Sequence, residues 1–143
     1  MGPKYKVGLV AGAFDIIHPG YIRMFKDAKR VCEYLIVALQ DDPSADRPKT
    51  KFKPIFTKEE RLEILMAIKY VDEVRFYQTE NELFWLISEI KPDVRILGSD
   101  YKGLLKTITG KGKTQIYYHT RKHDWSATKV RQLMYETMKG RMK

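Results

Sequence analysis

The chain has 143 residues, with 27 Lys+Arg against 18 Asp+Glu for a formal net charge of +9, and 43% of it is hydrophobic. That length and composition predict one folded domain over residues 1–143 and exclude intrinsic disorder. No apolar run approaches the roughly 20 residues that cross a bilayer, and the first residues lack the pattern of a signal peptide, so a cytoplasmic protein without a membrane span is expected.

Lys6 to Ala11 is a β-branched and aliphatic run ending at Gly12, which predicts a buried strand. Tyr21 to Val31 follows with Ile22, Phe25 and Ala28 at helical spacing. Cys32, the single cysteine, has no disulfide partner and no neighbour at metal-ligand spacing; a core position in a reducing compartment is expected. Tyr34 to Leu39 is a second apolar strand, closed by Asp41, Asp42 and Pro43. Thr57 with Glu60 and Thr79 with Glu82 are capping-box patterns opening two helices, one over Arg61 to Tyr70 and one containing Leu83, Leu86, Ile87 and Ile90. Strands are predicted after each, at Glu73 to Tyr77 and Val94 to Leu97, and a last one at Gln115 to Tyr118. Ser126 is a good N-cap for a final helix running towards Met138. Apolar strands alternating with helices predict an α/β fold, a single Rossmann-like doubly wound domain with a mostly parallel five-stranded sheet.

A surplus of positive charge favours anionic partners: nucleotides, phosphorylated metabolites, nucleic acid or headgroups. The density is highest from Arg47 to Lys58, where two prolines keep the chain semi-extended and a phosphate-gripping loop is plausible. In an open parallel sheet the ligand lies beyond the carboxyl ends of the strands. After the first strand comes GAFDIIHPGY, Gly12 to Tyr21. Gly12 permits a tight turn, and Pro19-Gly20 opens a helix whose unpaired amides suit an anion. His18 beside it can donate to a phosphate through its outward nitrogen, or can serve only as a turn residue. Asp15 is a candidate to hold Mg²⁺ through oxygen. No GxGxxG and no GxxxxGK[ST] is present, which removes the dinucleotide and P-loop classes. HDWSATKVR, His123 to Arg131, places Ser126 and Thr128 at the start of the last helix, a second possible anion site.

Taken together these segments resemble the cytidylyltransferase-type nucleotidyltransferases. The resemblance rests on GxFDxxHxGH after the first strand, a basic loop ending in a helix with Glu60-Arg61, a GxDY-like turn later in the chain and an STT-like turn opening the last helix. It runs from Lys6 to about Met134, and glycerol-3-phosphate cytidylyltransferase is the small member most similar in size and layout. The resemblance implies transfer of a nucleotidyl group, with CTP favoured over ATP, to a small phosphorylated alcohol such as glycerol 3-phosphate, with release of pyrophosphate. Displacement is direct, with Mg²⁺ as cofactor. It further implies that Gly12, Ala13, Phe14, Asp15, His18, Gly20 and Tyr21 line the nucleotide, with Asp15 at the metal. Lys49 and Lys51 lie in the phosphate loop, Arg61 is the catalytic arginine, and Ser126, Ala127 and Thr128 form the terminal phosphate turn. Asp100 and Tyr101 lie near nucleotide or acceptor, and a homodimer is the expected assembly.

Two positions depart from the pattern. The second histidine of HxGH is Tyr21, a phenol with an ordinary pKa of about 10 and so no positive charge at neutral pH. Ala127 replaces a hydroxyl in the SAT turn. An adenylyltransferase acting on a sugar phosphate is the sister reading, supported by the GSDYK turn; a catalytically weakened nucleotide binder is another, motivated by Tyr21. A nucleic-acid module is disfavoured, because no RNP aromatics or zinc-ligand cluster accompany the charge.

Overall fold

The computed structural model describes residues 2–98 and 114–141. Its sheet has five parallel strands in the order β3-β2-β1-β4-β5. The strands are β1 (Tyr5–Gly12), β2 (Cys32–Gln40), β3 (Glu73–Tyr77), β4 (Val94–Gly98) and β5 (Gln115–His119). The helices are α1 (Pro19–Val31), α2 (Pro43–Asp46), α3 (Lys58–Met66), α4 (Glu80–Ile90) and α5 (Ala127–Arg141). From β1 the chain adds β2 and β3 on one side, then returns to lay β4 and β5 on the other. The strand order therefore reverses between β1 and β4, and the ends of those strands form the crevice where such sheets bind ligands.

The two faces follow from the alternation along the central strands. Val10, Leu35, Val37 and Leu39 point to the face covered by Phe25 and Ala28 of α1 and Leu65 of α3. Leu9, Ile36 and Ala38 point to the other, covered by Leu83 and Ile87 of α4. Each of these side chains is at most 5% exposed, and full burial of such a side chain contributes roughly 1.5–3 kcal/mol. Gly8 lets β1 and β2 approach: a Cβ there would stand 2.6 Å from Cys32 Sγ. Burial pushes the Cys32 thiol up to about 11, so it is an inert core residue, as expected.

Both capping boxes form, Thr57 with Glu60 and Thr79 with Glu82. Two segments differ from the sequence expectation. The turn after β2 continues into the four-residue α2, because Asp42 caps it by accepting from Ser44 N at 2.9 Å. The helix predicted to reach Tyr70 ends at Met66. Its last turn tightens, with Ala67 N donating to Ile64 O at 3.1 Å and Ile68 N to Leu65 O at 3.0 Å. Among the described residues no helix is long and apolar enough to cross a membrane.

Candidate active site

His18 caps α1 at the mouth of the crevice. Its Nδ1 accepts from Gly20 N at 3.1 Å, so the ring proton sits on Nε2. That Nε2 is closed off from solvent and has no hydrogen-bond partner among the described residues. Burial, then the neighbouring His123 and Arg121, lower the His18 pKa to about 4, so the ring is neutral at pH 7. The result is a fixed N–H donor at the positive end of the α1 dipole, without the charge of an imidazolium; the amides of that first turn are themselves taken, Gly20 N by the His18 ring and Tyr21 N by His18 O at 3.0 Å. Tyr21 stacks on this ring with centroids 4.0 Å apart.

Phe14 and Asp15 do different work from what the motif implies. Phe14 takes a left-handed φ of 45°, is 3% exposed, and packs edge-on to Tyr21 at 5.1 Å and against Phe25 at 5.4 Å. Its side chain belongs to the core and shapes the loop. The Asp15 carboxylate accepts from Ile55 N at 2.8 Å, Phe56 N at 3.0 Å and Arg131 Nη2 at 2.7 Å. With both oxygens engaged by N–H donors, it pins the end of the basic loop and the first turns of α5. Among the described residues no three His, Cys, Asp or Glu side chains come together as a metal site. Asp15 therefore offers one carboxylate, already accepting three N–H bonds, and any Mg²⁺ held there would draw its other ligands from phosphate oxygens and water.

Arg61 lies in α3. It is 1% exposed and spends its donors on main-chain carbonyls: Nε on Phe56 at 3.0 Å, Nη1 on Ala13 at 2.9 Å and Gln40 at 2.6 Å, and Nη2 on Asp41. Four of the five guanidinium N–H groups thus tie together the ends of β1 and β2 and the loop before α3. Burial lowers its pKa, opposed by Asp15 and Asp41.

Ser126 caps α5 as expected, accepting from Lys129 N at 3.0 Å, with Ala127 and Thr128 in the first turn behind it. Lys49 and Lys51 are exposed in the turn that opens the basic loop, where Thr50 N and Lys51 N donate to Arg47 O at 3.2 and 3.0 Å; they are not brought against His18. Gly12 ends β1, and Ala13 offers its carbonyl to Arg61. Asp100 and Tyr101 lie outside the described residues.

The structure adds residues that no motif marked. His123 packs over Gly20, where an added methyl would overlap it and lie 2.9 Å from His18 Cε1. Trp125 lies nearly parallel to His18 with centroids 6.4 Å apart. At the edge of the sheet His119 Nδ1 lies 2.7 Å from Asp27, which also takes the Tyr117 hydroxyl at 3.2 Å. Only the charge of HDWSATKVR hinted at the first two; the Asp27–His119 pair had no local signal.

A switch-point crevice, a helix start and a fixed imidazole donor define a phosphate-binding α/β domain. Residues 9–133 match the family model described as Cytidylyltransferase-like, and the chain belongs to that family. It is 41% identical over 97 residues to the Bifunctional protein HldE of Gluconacetobacter diazotrophicus, covering 68% of this chain and 20% of that protein. With HldE of Campylobacter concisus it shares 37% over 107 residues, 75% of this chain and 22% of the relative. The chain thus spans about a fifth of the length of these relatives. The crystal structure of the lipopolysaccharide core biosynthesis protein from Thermoplasma volcanium superposes with a TM-score of 0.66 at 25% identity, covering 85% of this chain and 99% of that one. Pantothenate synthetase from Thermus thermophilus, TM-score 0.59 at 14% identity over 90% of this chain and 62% of that one, shares the fold alone. These relatives do not support the particular likeness to glycerol-3-phosphate cytidylyltransferase.

Proposed function

We propose that this domain transfers the adenylyl group of ATP to a sugar phosphate and releases pyrophosphate. The observation that carries a nucleotidyltransferase reading is the unpartnered, tautomer-fixed Nε2–H of His18 at the N-terminus of α1, facing the strand reversal. An oxygen of the acceptor phosphate attacks the α-phosphorus, the bond to the β-phosphate oxygen breaks, and the pair of electrons leaves with pyrophosphate. No side chain is covalently engaged, and what the protein supplies is orientation and donors aimed at phosphate oxygens.

The choice of ATP and a sugar over CTP and glycerol phosphate is supported by the HldE relatives and by the structural neighbour from lipopolysaccharide core biosynthesis. The GSDYK segment, which resembles the corresponding sequence of some adenylyltransferases, agrees with ATP. A homodimer remains the proposed assembly. The test is pyrophosphate release with ATP and CTP separately, against hexose and heptose phosphates, glycerol phosphate and choline phosphate. Turnover with ATP and a sugar phosphate is expected. Turnover confined to CTP and an alcohol phosphate overturns the substrate choice. Silence with every pair, alongside nucleotide binding in calorimetry, leaves a binder in place of an enzyme.

A further inference from the structure

We propose that His123 is a second phosphate donor of this site, working beside His18 on the triphosphate of the bound nucleotide. The inference rests on the nucleotidyltransferase reading above and extends it to a residue to which that reading gave no role. His18 and His123 are locked in the same way by main-chain amides two residues further on. His18 Nδ1 accepts from Gly20 N at 3.1 Å and His123 Nδ1 from Trp125 N at 3.0 Å. In each ring the proton therefore sits on Nε2, which becomes a donor of fixed direction.

The two donors share one place. A Cβ built on Gly20, in the first turn of α1, would lie 2.9 Å from His123 Nε2 and 2.9 Å from His18 Cε1. His123 Nε2 thus sits over the first turn of α1, at the positive end of the helix dipole. Neither Nε2 is given a hydrogen-bond partner by the described residues. His18 is sealed, so a ligand oxygen reaches it only by displacing what covers it, whereas the His123 ring is half-buried and accessible. The charges acting on His123 are mostly positive: Arg121 on its own segment, Arg23 from α1 and His119 from β5, against Asp124 alone. Burial and those cations lower its pKa, which keeps it a neutral donor at pH 7. Two N–H donors, a helix start and nearby guanidinium groups suit the multiply charged phosphate tail better than a base or a ribose hydroxyl. The arrangement also gives a place to Tyr21. Its phenol ring stacks on His18 where the resemblance led to a histidine, and a second imidazole reaches the same helix turn from the far end of the chain.

Asparagine and glutamine separate the two ring nitrogens. His123→Asn keeps an acceptor for Trp125 N and removes the Nε2 donor; His123→Gln places an amide donor near Nε2. Calorimetry with ATP, inorganic pyrophosphate and adenosine, together with the Tm of the free protein, reads the difference. His123→Asn should weaken ATP and pyrophosphate binding about tenfold or more, as expected for a lost bond to a charged group. Adenosine affinity and the Tm should be unchanged, and His123→Gln should recover part of the loss. Wild-type affinity for ATP and pyrophosphate in His123→Asn overturns the inference and leaves the functional reading intact. So does an equal loss of adenosine affinity, or a fall in Tm that tracks the weakened binding. A wild-type protein that binds none of ATP, CTP and pyrophosphate overturns the functional reading and this inference with it.

Discussion

His18 carries two properties in one ring, a helix cap and an orphan donor, and they can be separated. Asparagine is among the preferred N-caps, so His18→Asn keeps an acceptor for the Gly20 amide while deleting Nε2. The folded-state pKa is about 4 and the reference value is 6.5. Between those two pH values the unfolded chain holds a proton that the folded protein does not, so stability falls as pH drops through that window and levels off below it. Between pH 7 and pH 5 the wild-type protein should lose about 2 kcal/mol from this ring alone. Urea unfolding at the two pH values should show a correspondingly smaller loss in His18→Asn. Equal losses in both proteins would mean that His18 is not held neutral by burial.

At the scale of elements, the alternation of strand and helix was legible because each signal was local. Leu35 to Leu39 is an unbroken apolar run, and the capping boxes at Thr57 and Thr79 mark helix starts within four residues. The site was legible where a backbone motif made it, at His18 and Ser126. It was not legible where the sheet order made it. Asp15 meets Arg131, 116 residues away, and Asp27 meets His119, 92 residues away. Arg61 is the sharpest case, since its partners are carbonyls, which every residue has and which leave no side-chain pattern to read. The glutamate and arginine of the motif were visible, but the role of the arginine was set by where β1, β2 and the basic loop end. Lysine offers three donors from one atom and cannot reach four carbonyls spread around a planar fork. Arg61→Lys should therefore destabilise the fold by about 3 kcal/mol, leaving at least two carbonyls unpaired. That corresponds to a Tm lower by roughly 10 °C, read by calorimetric unfolding. An unchanged Tm with weakened nucleotide binding would return Arg61 to the phosphate.

For the whole molecule, the +9 charge and the strand reversal act on the same ligand at different ranges. Exposed lysines such as Lys49 and Lys51 draw an anion in from outside, an effect that falls away beyond a Debye length of about 10 Å at 0.1 M salt. Under the proposed function the donors at the crevice then hold it at contact distance, where salt screens less. Charge alone attracts any polyanion; the crevice selects one that ends in phosphates. A ligand that binds only the folded state stabilises it by about 2.7 kcal/mol at a hundred times its Kd, enough to raise the Tm of a chain this size by several degrees. ATP should produce that shift in 0.15 M salt, and single-stranded DNA oligonucleotides at equal phosphate concentration should not. Raising salt to 0.5 M should shrink the ATP shift without abolishing it, because part of the attraction is contact rather than field. His18→Asn should lose part of the contact contribution and keep the salt-sensitive remainder. A larger shift with the oligonucleotide than with ATP would make the charge, not the crevice, the functional feature of this fold.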